Sequence, residues 1–307
     1  QLESFKTNKK GVNQLFDLVA ESPEVLAGEK TIDEIMLNDL NWYDTNNITL
    51  KSGRKIVGID RRARNVTDAA GETTPYDRLL LATGSDPVML PLPGVDLPGV
   101  VTFRDLHDVD AMIQAAEKHK NAVVIGGGLL GLEAANGLMK RGMSVTVVHL
   151  CASLMERQLD DAASEMLRAS LHTSGLTFAM EAETEAIVGD DHVRAVRLKN
   201  GQEIVADLVV MAVGIRPNVT LARKAGLYVE RGISVGDTLQ TYDPAIYAVG
   251  ECVQHRGTCY GLVAPLFEQA KVCATHLAML GYAAYGGSLT STKLKVTGID
   301  LFSAGGF

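Results

Sequence analysis

Cysteine is scarce in this chain: four among 307 residues, Cys151, Cys252, Cys259 and Cys273, with no C-x-x-C pair. That excludes a disulfide-stapled fold and an iron–sulfur ligand set, and it fits a reducing, cytoplasmic compartment. The seven histidines form no H-x-x-x-H pattern, so no metal site is expected. Positive charge is also short, since 29 Lys and Arg against 37 Asp and Glu leave a formal −8. Such a balance supplies no field for a phosphate backbone or an anionic lipid surface, which removes nucleic acid as an expected partner. Long hydrophobic runs are missing too. The most apolar stretch, 121–139, is broken by Gly126, Gly127, Gly128, Gly131, Glu133 and Asn136, and it cannot serve as a membrane span of about 20 apolar residues.

What is present is apolar material at 46% of the chain, enough for about two domains of ordinary size. The first 30 residues are polar, with a short amphipathic helix candidate over 12–20. Strand-like segments follow at 48–50, 55–60, 65–67 and 79–82, punctuated by Ser52-Gly53 and Ala70-Gly71, and read as a small meander. A proline-rich connector over 90–98 marks a boundary, after which a helix capped by Asp105 or Asp108 runs to about His119.

The next segment reads as one βαβ unit: a buried strand over 121–125, a glycine turn, a helix over 129–141 stopped by Gly142, and a second strand over 144–150. Beyond it come a helix over 160–173, a strand over 176–180, hairpin turns at Gly189-Asp190-Asp191 and Asn200-Gly201, and a buried run over 207–213. A strand over 246–249 and a long helix over 262–280 close the pattern. The order predicts an α/β chain in which a nucleotide domain, 103–226, is inserted between two halves of another, 1–102 and 227–285, with 286–307 beginning a further one.

Gly126-x-Gly128-x-x-Gly131 directly follows a strand and opens a helix. In that context bare backbone can approach a pyrophosphate, whose charge the free amides of Leu129, Leu130 and Gly131 and the positive helix end would stabilise. A dinucleotide is therefore the expected ligand. About twenty residues on, the strand end that usually carries an acidic residue for a ribose 2′-hydroxyl carries His149 instead. His149 could contact a 2′-phosphate or simply end a solvated strand, and Arg157 is a second basic candidate, so NADH and NADPH both stay open. Glu133, early in an otherwise apolar helix, either profits from the helix dipole or sits beside a nicotinamide.

Four segments together resemble the pyridine nucleotide-disulfide oxidoreductases, flavoproteins with two dinucleotide-binding domains. They are Tyr76-Asp77-Arg78-Leu79-Leu80-Leu81-Ala82-Thr83-Gly84, the 126–133 fingerprint, Val213-Gly214-Ile215-Arg216-Pro217-Asn218, and Ile246-Tyr247-Ala248-Val249-Gly250-Glu251-Cys252. Within that family the stretches Val25-Leu26-Ala27-Gly28-Glu29-Lys30-Thr31, Leu154-Met155-Glu156-Arg157-Gln158-Leu159-Asp160 and 291–298 are similar to the FAD and NAD(P)H module of the NAD(P)H-dependent nitrite reductase large subunit. The resemblance runs from about residue 24 to the end. It implies a Rossmann-like NAD(P) domain inserted in an FAD domain, with Gly214 joining the NAD(P)H site. It further implies that Thr83, Gly84, Gly250, Glu251, Val263 and Ala264 face FAD.

No second G-x-G-x-x-G precedes Gly126, so the FAD domain is expected to be incomplete. The implied activity, in nitrate assimilation, is hydride transfer from NAD(P)H to FAD. Electrons then pass to a siroheme and iron–sulfur nitrite reductase centre outside this chain. Competing readings are a stand-alone rubredoxin or ferredoxin reductase, and a dinucleotide-binding fragment without catalysis. No obligatory proton-transfer residue is expected, and a homodimer is compatible with the family.

Overall fold

β-branched residues dominate Asn121–Ile125 and Ser144–Val148, and these form the middle of a five-stranded parallel sheet. The computed structural model describes residues 23–296 and 298–305; the helix expected over 12–20 lies outside them. In space the sheet runs Val100–Thr102, Leu208–Met211, Asn121–Ile125, Ser144–Val148, Thr177–Ala179. Register is continuous at its centre, with Asn121 opposite Ser144 and Ile125 opposite Val148.

Side-chain alternation divides each central strand between two cores. Ala122, Val124, Val145, Val147, Leu208 and Val210 pack on one face, with Val109, Met112, Leu132, Leu138 and Leu171 from three helices. Val123, Ile125, Val148, Val209 and Met211 pack on the other, with Ile187, Val193, Val196 and Leu198. That second face is covered by an antiparallel meander, Thr184–Gly189, Val193–Leu198 and Glu203–Val205, whose turns are the expected hairpins. A sheet buried on both faces explains why its strands are apolar throughout.

The covering helices begin where carboxylates can cap them. Asp105 accepts from the amides of His107 and Asp108 ahead of Leu106–Lys118, with Asp108 completing a capping box. Asp160 accepts from Ala163 ahead of Asp161–Thr173. Such caps contribute about 1 kcal/mol each.

Contacts divide the described residues into two units: one of 37–86 and 215–291, the other of 23–36, 87–214 and 292–305. Against the expected 103–226, the second unit takes in 87–102 and gives up 215–226, and it includes two further segments that the sequence pattern places elsewhere. One is the short helix Pro23–Leu26, whose Leu26 is fully buried. A Cβ at Gly137 would lie 2.6 Å from the Leu26 Cγ, so glycine is what admits it. Arg141 fixes the same helix by donating to the carbonyls of Leu26 and Val25 at 2.5 and 3.0 Å. The other is 292–305, whose Leu294 and Val296 join the helix-side core.

In the first unit Ile56–Asp60 and Asn65–Asp68, the two middle strands of the expected meander, pair antiparallel and are joined by Thr73–Pro75, a strand the sequence pattern does not show. Leu79–Leu81 leaves it to pair in parallel with Ile246–Ala248. Of this all-leucine run Leu81 is buried and Leu80 is 42% exposed, and its partner is distant in sequence. Residues 48–50 form no strand; Ile48 is 42% exposed, so alternation there buries nothing. Ile233–Val235 pairs in parallel with Val253–His255, and Val263–Leu277 is the long helix.

Asp237 closes a polar cluster in this unit. It accepts from Arg256 at 3.0 and 2.7 Å and from the buried His255 Nε2 at 2.9 Å. The Arg256 and His255 contacts hold its carboxyl down at about 2, from an ordinary 3.8. A depressed carboxyl stabilises the fold fully above 3.8, and that contribution disappears as the pH falls toward about 2. Acid unfolding of Asp237→Asn should therefore be flatter across that window than in the parent chain, as read by circular dichroism. Leu26→Ala should cost about 2–5 kcal/mol in urea unfolding, because it empties a filled core site beside Gly137.

Candidate functional site

Gly126 leaves its strand at φ +120°, and its amide donates to the Val148 carbonyl at 2.9 Å. A Cβ at Gly131 would lie 1.9 Å from the Gly126 carbonyl oxygen, and one at Gly126 would lie 2.2 Å from the Ala212 oxygen. Those two glycines let the helix, the turn and the neighbouring strand close upon one another. Gly128 differs: a Cβ there would meet nothing within 4 Å. Helix Leu129–Lys140 starts at Gly128 with no side chain capping it. The amides of its first turn, at Leu129, Leu130 and Gly131, therefore lie at a bare positive helix end beside open space. A diphosphate fits that cradle chemically, since peptide N–H groups and the dipole both favour an anion.

Gly127 is held from both sides. Its amide donates to His149 Nδ1 at 3.0 Å, and its carbonyl accepts from the Met155 amide, also at 3.0 Å. Because Nδ1 accepts, the ring hydrogen of His149 is on Nε2, which lies 3.0 Å from the Ser153 carbonyl and 3.3 Å from a Glu156 oxygen. His149 is 7% exposed. It is a brace between the glycine turn and the loop after the strand, and neither a solvated strand end nor a ring with a free nitrogen. Met155 is fully buried at φ +51°, an unusual conformation for a residue with a side chain. Glu156 and Arg157 follow it and are exposed.

His149, Cys151 and Glu156 bring potential metal-ligand atoms within 4.8 Å of one another, a grouping that sequence spacing does not reveal. With its hydrogen on Nε2, His149 offers no lone pair to a cation there.

Glu133 is 4% exposed, in the second turn of the same helix, and accepts from the Lys295 amide at 2.9 Å. Its carboxylate thus anchors the segment after residue 292 to the helix that follows the glycine turn. Gly214 sits at φ +115° with open space beside it, and its carbonyl accepts from the Val88 amide at 2.9 Å.

In the other unit, the carboxyl ends of Leu79–Leu81 and Ile246–Ala248 lie side by side, tied by the Val249 amide to the Leu81 carbonyl at 3.0 Å. Thr83 is engaged there, its hydroxyl donating to the Asn218 carbonyl at 2.6 Å, while the Gly84 carbonyl accepts from Asn218. Glu251 accepts from the buried Ser85 hydroxyl at 2.8 Å. Gly250 lies at φ +90° with nothing within 4 Å of a Cβ, and its amide donates to Gln269 Oε1 at 2.9 Å.

Helix Val263–Leu277 begins at Leu262 without a side-chain cap, leaving the first-turn amides of Val263 and Ala264 exposed. Bare amides, an acidic acceptor and an open glycine turn at parallel strand ends suit the hydroxyls and polar ring edge of a flavin. Sequence reasoning missed Ser85, Asn218 and Gln269. Gln269 carries a signal only in retrospect, as a polar residue on the helix's apolar face.

Residues 8–276 match the sequence profile of the pyridine nucleotide-disulphide oxidoreductases, beginning ahead of the point near residue 24 where the motifs start. The chain is 54% identical over 284 residues to a nitrite reductase [NAD(P)H] of Bacillus subtilis, covering 92% of this chain and 35% of the relative. It is 47% identical over 281 residues to the assimilatory nitrate reductase electron transfer subunit of the same organism, covering 92% and 36%. It therefore spans about a third of the length of these curated relatives. A ferredoxin reductase structure from Rhodopseudomonas palustris superposes with a TM-score of 0.86 at 29% identity, over 92% of this chain and 72% of that one.

The differing surroundings of the glycines generate a paired prediction. Gly128→Val should leave the fold intact and weaken NAD(P)H binding at least about a hundredfold, by filling the space in front of the helix. Gly131→Val should instead lower the melting temperature sharply, because its side chain collides with backbone. Differential scanning calorimetry and nucleotide titration on both variants would check the pair.

Proposed function

The chain belongs to the pyridine nucleotide-disulphide oxidoreductase family, and from that premise we propose that it is the NAD(P)H-oxidising flavin module of an assimilatory nitrite reductase, passing electrons to a siroheme and iron–sulfur centre outside this chain. Enzymes of this kind are FAD- and NAD(P)H-dependent oxidoreductases. The observation that carries the reading is the glycine corner, where packing seals Gly126 and Gly131 while Gly128 opens onto an uncapped helix start.

Bound together, a reduced nicotinamide supplies a hydride and a flavin accepts it, releasing the pair singly to a one-electron acceptor. The chain's residues bind and align. Amides at Leu129, Leu130 and Gly131 would hold the nucleotide's diphosphate, with His149 fixing the turn from behind. Gly250 and Glu251 would take flavin-side hydroxyls. The uncapped amides at Val263 and Ala264 would favour negative charge at the flavin edge they meet. Hydride transfer depends on alignment rather than on an acid or base, so Glu133, buried and engaged with Lys295, is given no proton to move.

The nitrite-linked acceptor rests on the names of the two Bacillus relatives. A second reading, reduction of a small ferredoxin- or rubredoxin-type carrier, is favoured by the likeness to the ferredoxin reductase. Mixed with FAD and given NADH or NADPH without oxygen, the chain should bleach the visible flavin band, and an added one-electron acceptor should restore it. An unbleached band with FAD demonstrably bound would overturn the reading in favour of a non-catalytic dinucleotide-binding fragment.

A further inference from the structure

The strand end that in many dinucleotide-binding domains offers a carboxylate to the ribose 2′-hydroxyl carries His149 here, and that ring is committed to the interior. Its Nε2–H points toward a carboxylate brought back to the same place by the following loop, with a Glu156 oxygen at 3.3 Å. The loop is fixed at several points. The Met155 amide donates to the Gly127 carbonyl, the Leu154 and Met155 side chains are fully buried, and Gln158 and Leu159 donate back to the Met155 carbonyl at 2.7 and 3.0 Å. Met155 takes up a positive φ in the middle of this, and strain of that kind persists only where surrounding contacts impose it. The effect is to deliver Glu156 to the strand end, side chain 41% exposed, one residue from a buried anchor on the glycine turn.

We propose that Glu156 is the specificity residue of the nucleotide site: its carboxylate accepts from the ribose 2′-hydroxyl and repels a 2′-phosphate, so the chain selects NADH over NADPH. This rests on the glycine corner being the dinucleotide site. A hydroxyl donating to a carboxylate gains a charge-assisted hydrogen bond, whereas a 2′-phosphate would bring like charge against it. Arg157, the neighbouring exposed cation, is the group that would argue for NADPH. It is Glu156, however, that meets the His149 ring.

The oxidised nucleotides test this by binding alone, with no electron transfer required. Titration calorimetry on the parent chain should give an NAD+ affinity at least about tenfold above that for NADP+. Glu156→Gln should bring the two within a few-fold of one another, chiefly by improving NADP+. Glu156→Asp should keep the preference, and Arg157→Ala should leave it in place. A merely structural role for Glu156 would move both affinities together. The inference is overturned if the parent chain binds NADP+ as well as NAD+ or better, or if Glu156→Gln leaves their ratio unchanged. Binding of neither nucleotide would instead overturn the assignment of the corner itself, and the inference with it.

Discussion

The unit built on the five-stranded sheet depends on one approach of backbone to backbone, the Gly126 carbonyl against the Cα of Gly131. A single added carbon would lie 1.9 Å from that oxygen, so helix and turn can close only where residue 131 lacks a side chain, while Gly126 must be bare because its own Cβ would lie 2.2 Å from the Ala212 oxygen. Several consequences follow from this closeness. The helix must begin at Gly128, which has no side chain to cap it, so its first amides stay available. The strand must end in a conformation of positive φ, reached at +120° by Gly126. Gly127, between them, then has both backbone groups turned toward the loop after the second strand, where His149 and Met155 take them. Packing thus produces a bare helix start suited to an anion.

Such a corner needs rigid support, and the sheet provides it. Its central strands are buried on both faces, by helices on one and by an antiparallel meander on the other. Each fully buried aliphatic side chain contributes roughly 1.5–3 kcal/mol. Against that background the strain of a buried Met155 at positive φ, about 1–3 kcal/mol, is small and readily offset. Segment 292–305 adds a further tie, since Leu294 and Val296 enter the same core while the Lys295 amide meets Glu133. Glu133 therefore bears on the position of that segment as well as on its own helix.

Local signals were legible in the sequence and non-local ones were not. The βαβ unit, the aspartate cap before Leu106, the hairpin turns and the glycine fingerprint are each written in one contiguous segment, and each forms as read. The parallel pairing of Leu79–Leu81 with Ile246–Ala248 joins segments far apart in the chain, and nothing in either run names its partner. The same limit hid the membership of Pro23–Leu26 and 292–305 in the nucleotide unit. At the site, the spacing rule led to His149 as the residue at the strand end. It could not show that the ring faces inward, because that depends on a loop amide meeting Nδ1. Glu156 and Gln269 were invisible for a related reason. Each reaches its partner through a turn or a helix face whose direction is set by tertiary packing.

Both candidate sites use the carboxyl ends of parallel strands, and both rely mainly on main-chain groups: the uncapped amides at Leu129 and at Val263, and the open turns at Gly128 and Gly250. Main-chain groups recognise a diphosphate or a ring edge but cannot tell closely related nucleotides apart, since every chain presents the same N–H and C=O. Discrimination has to come from side chains, and at such a corner the available ones are those the surrounding loops deliver. In the nucleotide unit that delivery is made by a buried methionine in a strained conformation, which sets Glu156 against the His149 ring. In the other unit Gln269 performs the equivalent holding step, bringing its helix to the Gly250 amide. On the proposed reading the general ligand class is set by glycines and helix starts. The choice among related ligands would then fall to residues such as Glu156, whose importance lies in where packing sends them.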